Sequence, residues 1–211
     1  VCTAQQQRAT SVNTLDEQHM RLAITTANDA RLRSRPNPWV GAVVISRDGN
    51  VFVGSTREPG NAHAEIVALQ HAGALARGAT LYSTLEPCSH TGRTGPCTTA
   101  IIKAGITRVV VGTPDPDKNV AGSGIQQLRN AGISVDVGIL ESEVRSQLAA
   151  YLHHRSTGRP FVVLKMASSI DGRIAAADGT SKWITGEIAR RRVHQLRAQS
   201  DAIVVLSLIH I

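Results

Sequence analysis

Three short β-rich runs, ATLYSTL (79–85), TRVVVG (107–112) and ISVDVG (133–138), are each followed by a helical pattern. This alternation constrains the fold more than any other feature of the chain. A strand that returns parallel to its neighbour needs a crossover long enough to hold a helix, so strand–helix alternation predicts a sheet covered by helices. The helices are expected over 97–104, 125–131 and 141–153, with a Gly-rich loop at 122–124. Ahead of them, VGAVVIS (40–46) and NVFVG (50–54) flank an Arg-Asp-Gly turn signal and predict a hairpin. That hairpin would add an antiparallel pair, giving a mixed α/β sheet. Between hairpin and first run, residues 62–76 have helical spacing, with Ile66, Leu69 and Leu75 expected inward.

The ends of the chain are less patterned. Residues 1–15 read as a flexible polar tail, and Thr14-Leu-Asp-Glu17 has the spacing of a capping box that would open the first helix. Met20, Ala23, Ile24, Ala27 and Ala30 then recur at helical intervals, and the helix must stop before Pro36 and Pro38. Ser156-Thr-Gly-Arg-Pro160 marks a composition break. The expected organisation is a tail over 1–15, one domain over 16–158, and the beginning of another over 159–211. In the latter, FVVLKMASS reads as a strand, SKWITGEIARRRVHQLRAQS as a helix and DAIVVLSLIHI as a last strand.

Composition narrows the class. Hydrophobic residues make up 42% of the chain but aromatics only 3%, so the core must be built from Ala, Val, Ile and Leu. No apolar run reaches the ~18–20 residues of a membrane span, and the first residues lack the layout of a secretory signal. Three cysteines cannot form a disulfide framework, which favours a reducing, cytoplasmic setting.

Two of those cysteines fit a metal site better. His63, Cys88 and Cys97 are the ligand types that hold zinc, and a catalytic zinc keeps three protein ligands and one open position. A structural site would need a fourth ligand, for which His90 and His71 are the candidates. Glu65, two residues after His63, favours chemistry: a carboxylate beside the metal can accept a proton from activated water and pass it on. Both cysteines follow prolines, a residue favoured in helix first turns, where free N–H groups stabilise thiolates.

The net charge of +7 gathers in Arg31, Arg33 and Arg35 and in Arg190, Arg191, Arg192 and Arg197. Such clusters suit phosphate groups or nucleic acid, or are simply solvated helix faces. Without interleaved aromatics they make a poor platform for stacking bases. No nucleic acid or membrane partner is expected.

His-x-Glu followed by Pro-Cys and a second Cys resembles the zinc-dependent nucleoside and nucleobase deaminases, among which a tRNA-type deaminase acting on bases in nucleic acid is the alternative reading. The eight-residue gap in TLEPCSHTGRTGPC resembles the bifunctional riboflavin-biosynthesis deaminase/reductase family, as do RPNPWVGAVV, AHAEIVAL, DPDKNVAGSG and VLKMASSIDGRIA. The resemblance implies a three-layer α-β-α, cytidine-deaminase-like domain, followed by the start of a dihydrofolate-reductase-like domain. It implies zinc on His63, Cys88 and Cys97, with Glu65 as proton shuttle in the hydrolytic deamination of a diaminopyrimidinone bearing a ribosylamino 5′-phosphate. Asn37, Arg93 and Asp115 would contact that small phosphorylated substrate. In the second domain Ala167 and Trp183 would contact NADPH, and Ser181 and Arg197 the substrate. Thr56, Asp117 and Lys118 depart from the family pattern, where a His and an Asn-Pro are usual. The closing LSLIHI also departs from it, and is expected to leave the reductase incomplete. Homo-oligomerisation is compatible with the resemblance.

Overall fold

The computed structural model describes residues 4–92, 94–117 and 120–205, with side chains from Thr14 onward. Two compact units are present, residues 1–161 and 162–211.

The first unit is built on a five-stranded sheet in the order β2-β1-β3-β4-β5. Strands β1 (Gly41–Ile45) and β2 (Val51–Ser55) form the expected hairpin, paired Gly41 to Ser55 through Ile45 to Val51. β1 is also antiparallel to β3 (Thr80–Leu85), whereas β4 (Arg108–Thr113) and β5 (Ser134–Val137) continue parallel from it. Val109, Val110 and Val111 are all fully buried, as a central strand covered on both faces requires.

Helix α1 (Ala4–Ala27) lies on one face with α5 (Glu141–Gln147), tied by Gln147 Nε2 donating to the Ile24 carbonyl at 2.6 Å. Helices α2 (Ala64–Ala72), α3 (Cys97–Ala104) and α4 (Ser123–Asn130) form the opposite layer, and α6 (Ala149–Thr157) follows α5. Close packing of helix on sheet is set by two glycines on opposite faces of the hairpin. A Cβ at Gly41 would fall 1.9 Å from the Ala23 carbonyl oxygen, and one at Gly54 2.3 Å from that of Ala64. On the α1 face, Asp16 is buried and accepts from both terminal nitrogens of Arg108, at 2.9 and 2.7 Å, and from the Tyr82 hydroxyl at 2.7 Å.

Several local expectations are corrected. Helix α1 already runs through Thr14, so Thr14 and Glu17 lie inside it and do not cap its start. Leu75 is 44% exposed rather than inward, because residues 73–76 tighten into a 3-10 turn that rotates it off the buried face of α2. Ile66 is only half-buried.

In the second unit, FVVLKMASS forms no strand: Val162 and Leu164 are 80% and 82% exposed. A strand is stable only against a partner that takes up its backbone hydrogen bonds, and none is present among the described residues. The helix expected from 181 begins later, as α7 (Glu187–Ala198). Residues 201–205 are likewise not a strand, and the rest of the expected last strand, 206–211, lies outside the described residues. No described helix is long and apolar enough to cross a membrane.

Candidate metal centre

The antiparallel β1–β3 pairing brings the entry to β1, the exit of β2 and the carboxyl ends of β3 and β4 to one end of the sheet. Loops leaving that end form a cleft of about 300 Å³. Carboxyl ends of parallel strands are where open α/β sheets place their ligand crevices.

His63 is the N-cap residue of α2, and Glu65 is in the first turn of the same helix. Cys97 is the first residue of α3, capped by Pro96, while Cys88 sits in the loop that leaves β3. Only the second Pro-Cys pair therefore opens a helix. Its effect is felt by the other sulfur, since the Cys97 backbone N–H donates to Cys88 Sγ at 3.5 Å. The Cys97 thiol beside Cys88, together with His63 and that N–H, holds the Cys88 thiol well below the usual range against the opposing effect of burial. Cys97 is pushed up by its bond to Cys88 and by burial. His63 is raised by its bond to Cys88.

Both sulfurs face Nδ1 of His63, Cys88 at 3.6 Å and Cys97 at 3.3 Å, and the three ligand atoms lie within 4.8 Å of one another. Zinc–sulfur and zinc–nitrogen bonds of about 2.3 and 2.0–2.1 Å at a tetrahedral angle place sulfur and nitrogen ~3.6 Å apart. The observed separations fit that ion. Among the described residues no fourth ligand joins the group. His71 instead bonds the Val53 carbonyl through Nδ1 at 2.8 Å, and His90 lines the cleft outside the ligand set.

Glu65 is 4% exposed, and burial pushes its carboxyl up to about 7 despite the opposing pull of His63. His63, Glu65 and Cys88 all line the cleft, as do Asn37 and Asp115. Asn37 stands in a turn held by its N–H bond to the Ser34 carbonyl at 2.8 Å. Thr56 is buried, and its Oγ1 accepts the Val40 N–H at 3.1 Å, clasping the base of that turn to the end of β2. Arg93 and Lys118 lie outside the described residues. Asp117 lines the cleft and meets Arg155 of α6 at 3.5 Å.

Sequence reasoning passed over three residues here. Glu86, at the end of β3, is buried and accepts four backbone N–H bonds: Asp115 and Gly122 at Oε2 (3.2 and 3.0 Å), and Gly124 and Ile125 at Oε1 (2.9 and 3.1 Å). The acidic side chain thus fixes both the loop after β4 and the start of α4, where the helix dipole favours negative charge. Tyr151 donates to both oxygens of Asp115, at 3.2 and 3.0 Å, and burial raises the Asp115 carboxyl. Arg155 lies over the Tyr151 ring at 5.4 Å. The Leu-Glu-Pro-Cys motif, with a Glu one residue from the ligand loop, was the available signal for Glu86.

In the second unit Ser181 and Trp183 line one depression, with Arg190 over the Trp183 ring at 4.4 Å. Ala167 does not line it, and Arg197 stands on α7.

A sheet of this order, with His63 and Cys97 at helix starts and Cys88 in the loop between β3 and α3, defines the zinc-deaminase class. Residues 13–113 match the cytidine and deoxycytidylate deaminase zinc-binding region, and residues 160–207 match the RibD C-terminal domain. The chain belongs to the RibD family of riboflavin-biosynthesis proteins. It is 45% identical over 194 residues to riboflavin biosynthesis protein RibD of Aquifex aeolicus, covering 92% of this chain and 54% of that one. The structure of Acinetobacter baumannii RibD superposes with a TM-score of 0.81 at 47% identity, covering 89% of this chain and 53% of that one. A Thermotoga maritima diaminohydroxyphosphoribosylaminopyrimidine deaminase/5-amino-6-(5-phosphoribosylamino)uracil reductase also gives a TM-score of 0.81, at 43% identity and 88% and 53% coverage. The chain spans about half the length of the curated relatives it matches. The three-layer deaminase fold expected from the resemblance is the observed one, and the second unit carries the match to the C-terminal domain.

Proposed function

We propose that residues 16–158 form a deaminase that hydrolyses the amino group from a phosphorylated, ribosylamino-substituted diaminopyrimidinone. One observation carries the reading: the buried carboxylate of Glu65 opens onto the same cleft as a three-ligand set whose spacing fits zinc. His63, Cys88 and Cys97 would hold the ion. When bound, zinc acts as a Lewis acid and brings the pKa of water down to about 7.

Glu65 then does the proton work. Its carboxylate accepts a proton from water and delivers it to a ring nitrogen as the new C–O bond forms. It moves a second proton to the amino nitrogen, so that the C–N bond breaks and ammonia leaves. Asn37 from the turn before β1 and Asp115 from the loop after β4 border the cleft on either side and would orient the pyrimidine. Tyr151 and Glu86 keep Asp115 in place. The Thermotoga maritima relative, named for this deamination, supports the choice of substrate.

Residues 160–207 would belong to the reductase part, with Ala167 and Trp183 toward NADPH and Ser181 and Arg197 toward its substrate; the domain match supports this. The deaminase test is ammonia release by the zinc-loaded chain. Glu65→Gln is expected to lower turnover ~10²- to 10⁴-fold while zinc content is unchanged. Zinc retained with unaltered turnover rejects the role of Glu65, and no ammonia release from the unaltered chain sinks the proposed function.

A further inference from the structure

We infer that Arg155 recognises the phosphate of the ligand held in this cleft, an inference that takes only the identity of that ligand from the deaminase reading. Among the described residues that line the cleft, Arg155 is the single Arg or Lys. The acidic residues around it would otherwise repel a phosphate. Each has its own partner: Glu86 takes backbone N–H groups, Asp115 takes the Tyr151 hydroxyl and the Asp117 N–H, and Asp117 pairs with Arg155 itself.

Two contacts orient the guanidinium. Its Nε faces Asp117 Oδ2 at 3.5 Å, and its Cζ lies 5.4 Å from the centre of the Tyr151 ring. The contact to Asp117 is made along the Nε side, and the two terminal nitrogens make no hydrogen bond among the described residues. A planar fork oriented by a carboxylate and a ring, with its end nitrogens available, matches the bidentate geometry of phosphate recognition. Arg155 remains 40% exposed, so the fork meets a ligand without first being dug out of the core. Its place on α6, two turns of chain after α5, explains why spacing near the metal ligands gives no hint of it.

The experiment is a calorimetric titration of the zinc-loaded chain with ribose 5-phosphate and with ribose. The unaltered chain is expected to bind the phosphorylated sugar ~10- to 100-fold more tightly, the worth of a charge-assisted pair. Arg155→Met should abolish that preference and Arg155→Lys retain part of it, with zinc content and circular dichroism unchanged. Equal binding of ribose 5-phosphate by Arg155→Met and the unaltered chain overturns the inference, as does a wild type that does not distinguish the two sugars. Loss of the preference in Arg93→Met but not in Arg155→Met overturns it too, and moves the phosphate to the cysteine loop. Phosphate preference that depends on Arg155 in a chain that releases no ammonia would sink the deaminase reading and leave this one standing.

Discussion

Glu86→Gln tests how the cleft is held together. Each carboxylate oxygen of Glu86 accepts two backbone N–H groups, from Asp115 and Gly122 on one side and Gly124 and Ile125 on the other. A glutamine offers one oxygen and one NH₂. Whichever way its amide is turned, two N–H donors meet another donor and lose their acceptor. The site gives no room for rearrangement, since a Cβ at Gly124 would stand 2.0 Å from the Pro87 carbonyl oxygen. A buried donor without a partner costs about 1–3 kcal/mol, so two cost roughly 2–6 kcal/mol. Loss of the negative charge at the start of α4 adds about 0.3–1 kcal/mol. For a unit of this size each kcal/mol moves the midpoint by roughly 2–4 °C, so a fall on the order of 10 °C is expected. Urea unfolding followed by circular dichroism, with the slope m compared between variants, measures it directly. A change under about 0.5 kcal/mol at unchanged m would refute the reasoning, because it would mean that these donors find water or another acceptor at no cost.

Other tests bear on the opposite face and on the metal. Asp16→Asn should destabilise the first unit by roughly 2–3 kcal/mol, because Arg108 loses a bidentate partner and keeps only Asp136. Arg108 and Tyr82 outweigh the effect of burial and hold the Asp16 carboxyl below its ordinary 3.8, so its contribution is full above that value and is lost as pH falls through the lowered one. The stability gap between Asp16→Asn and the unaltered chain should therefore close below about pH 4, and a gap independent of pH would contradict the assignment. Chelation of zinc should open Cys88 and Cys97 to a thiol reagent. It should also lower the midpoint by about 5–10 °C, since a ligand at ~100 times its Kd adds about 2.7 kcal/mol. Thiol counts unaffected by the chelator would place the metal elsewhere.

The sequence made the ligand set and its scaffold readable for a physical reason. Metal ligands are few in kind, and short motifs such as His-Ala-Glu and Pro-Cys carry their chemistry with them. The α3 boundaries at Cys97 and Ala104 were legible because Pro96 and Gly105 bracket them, Gly105 in the left-handed region at φ 75°. Glu86 was not, because a single charged residue at a strand end has no periodicity, and its four donors come from loops whose course only the fold fixes. Tyr151 and Arg155 reach the cleft from α6, far along the chain from the ligands, and no spacing rule links them to it. Thr56 looked like a loss at a position where the resemblance leads one to expect histidine, yet its hydroxyl is spent on the Val40 backbone. The strand expected in FVVLKMASS failed for the opposite reason: its residues have the propensity, but a strand's hydrogen bonds need a neighbour.

His71, discounted as a zinc ligand, has a different consequence. Val40 and Thr56 bond across the hairpin and so do Ser46 and Asn50, which by alternation turns the backbone groups of Val53 away from β1 toward the open side of the sheet. The imidazole of His71 occupies that outward carbonyl. A strand from another molecule approaching β2 would find one rung of its ladder already taken, so α2, whose other end carries His63, also discourages the sheet from growing by edge-to-edge addition.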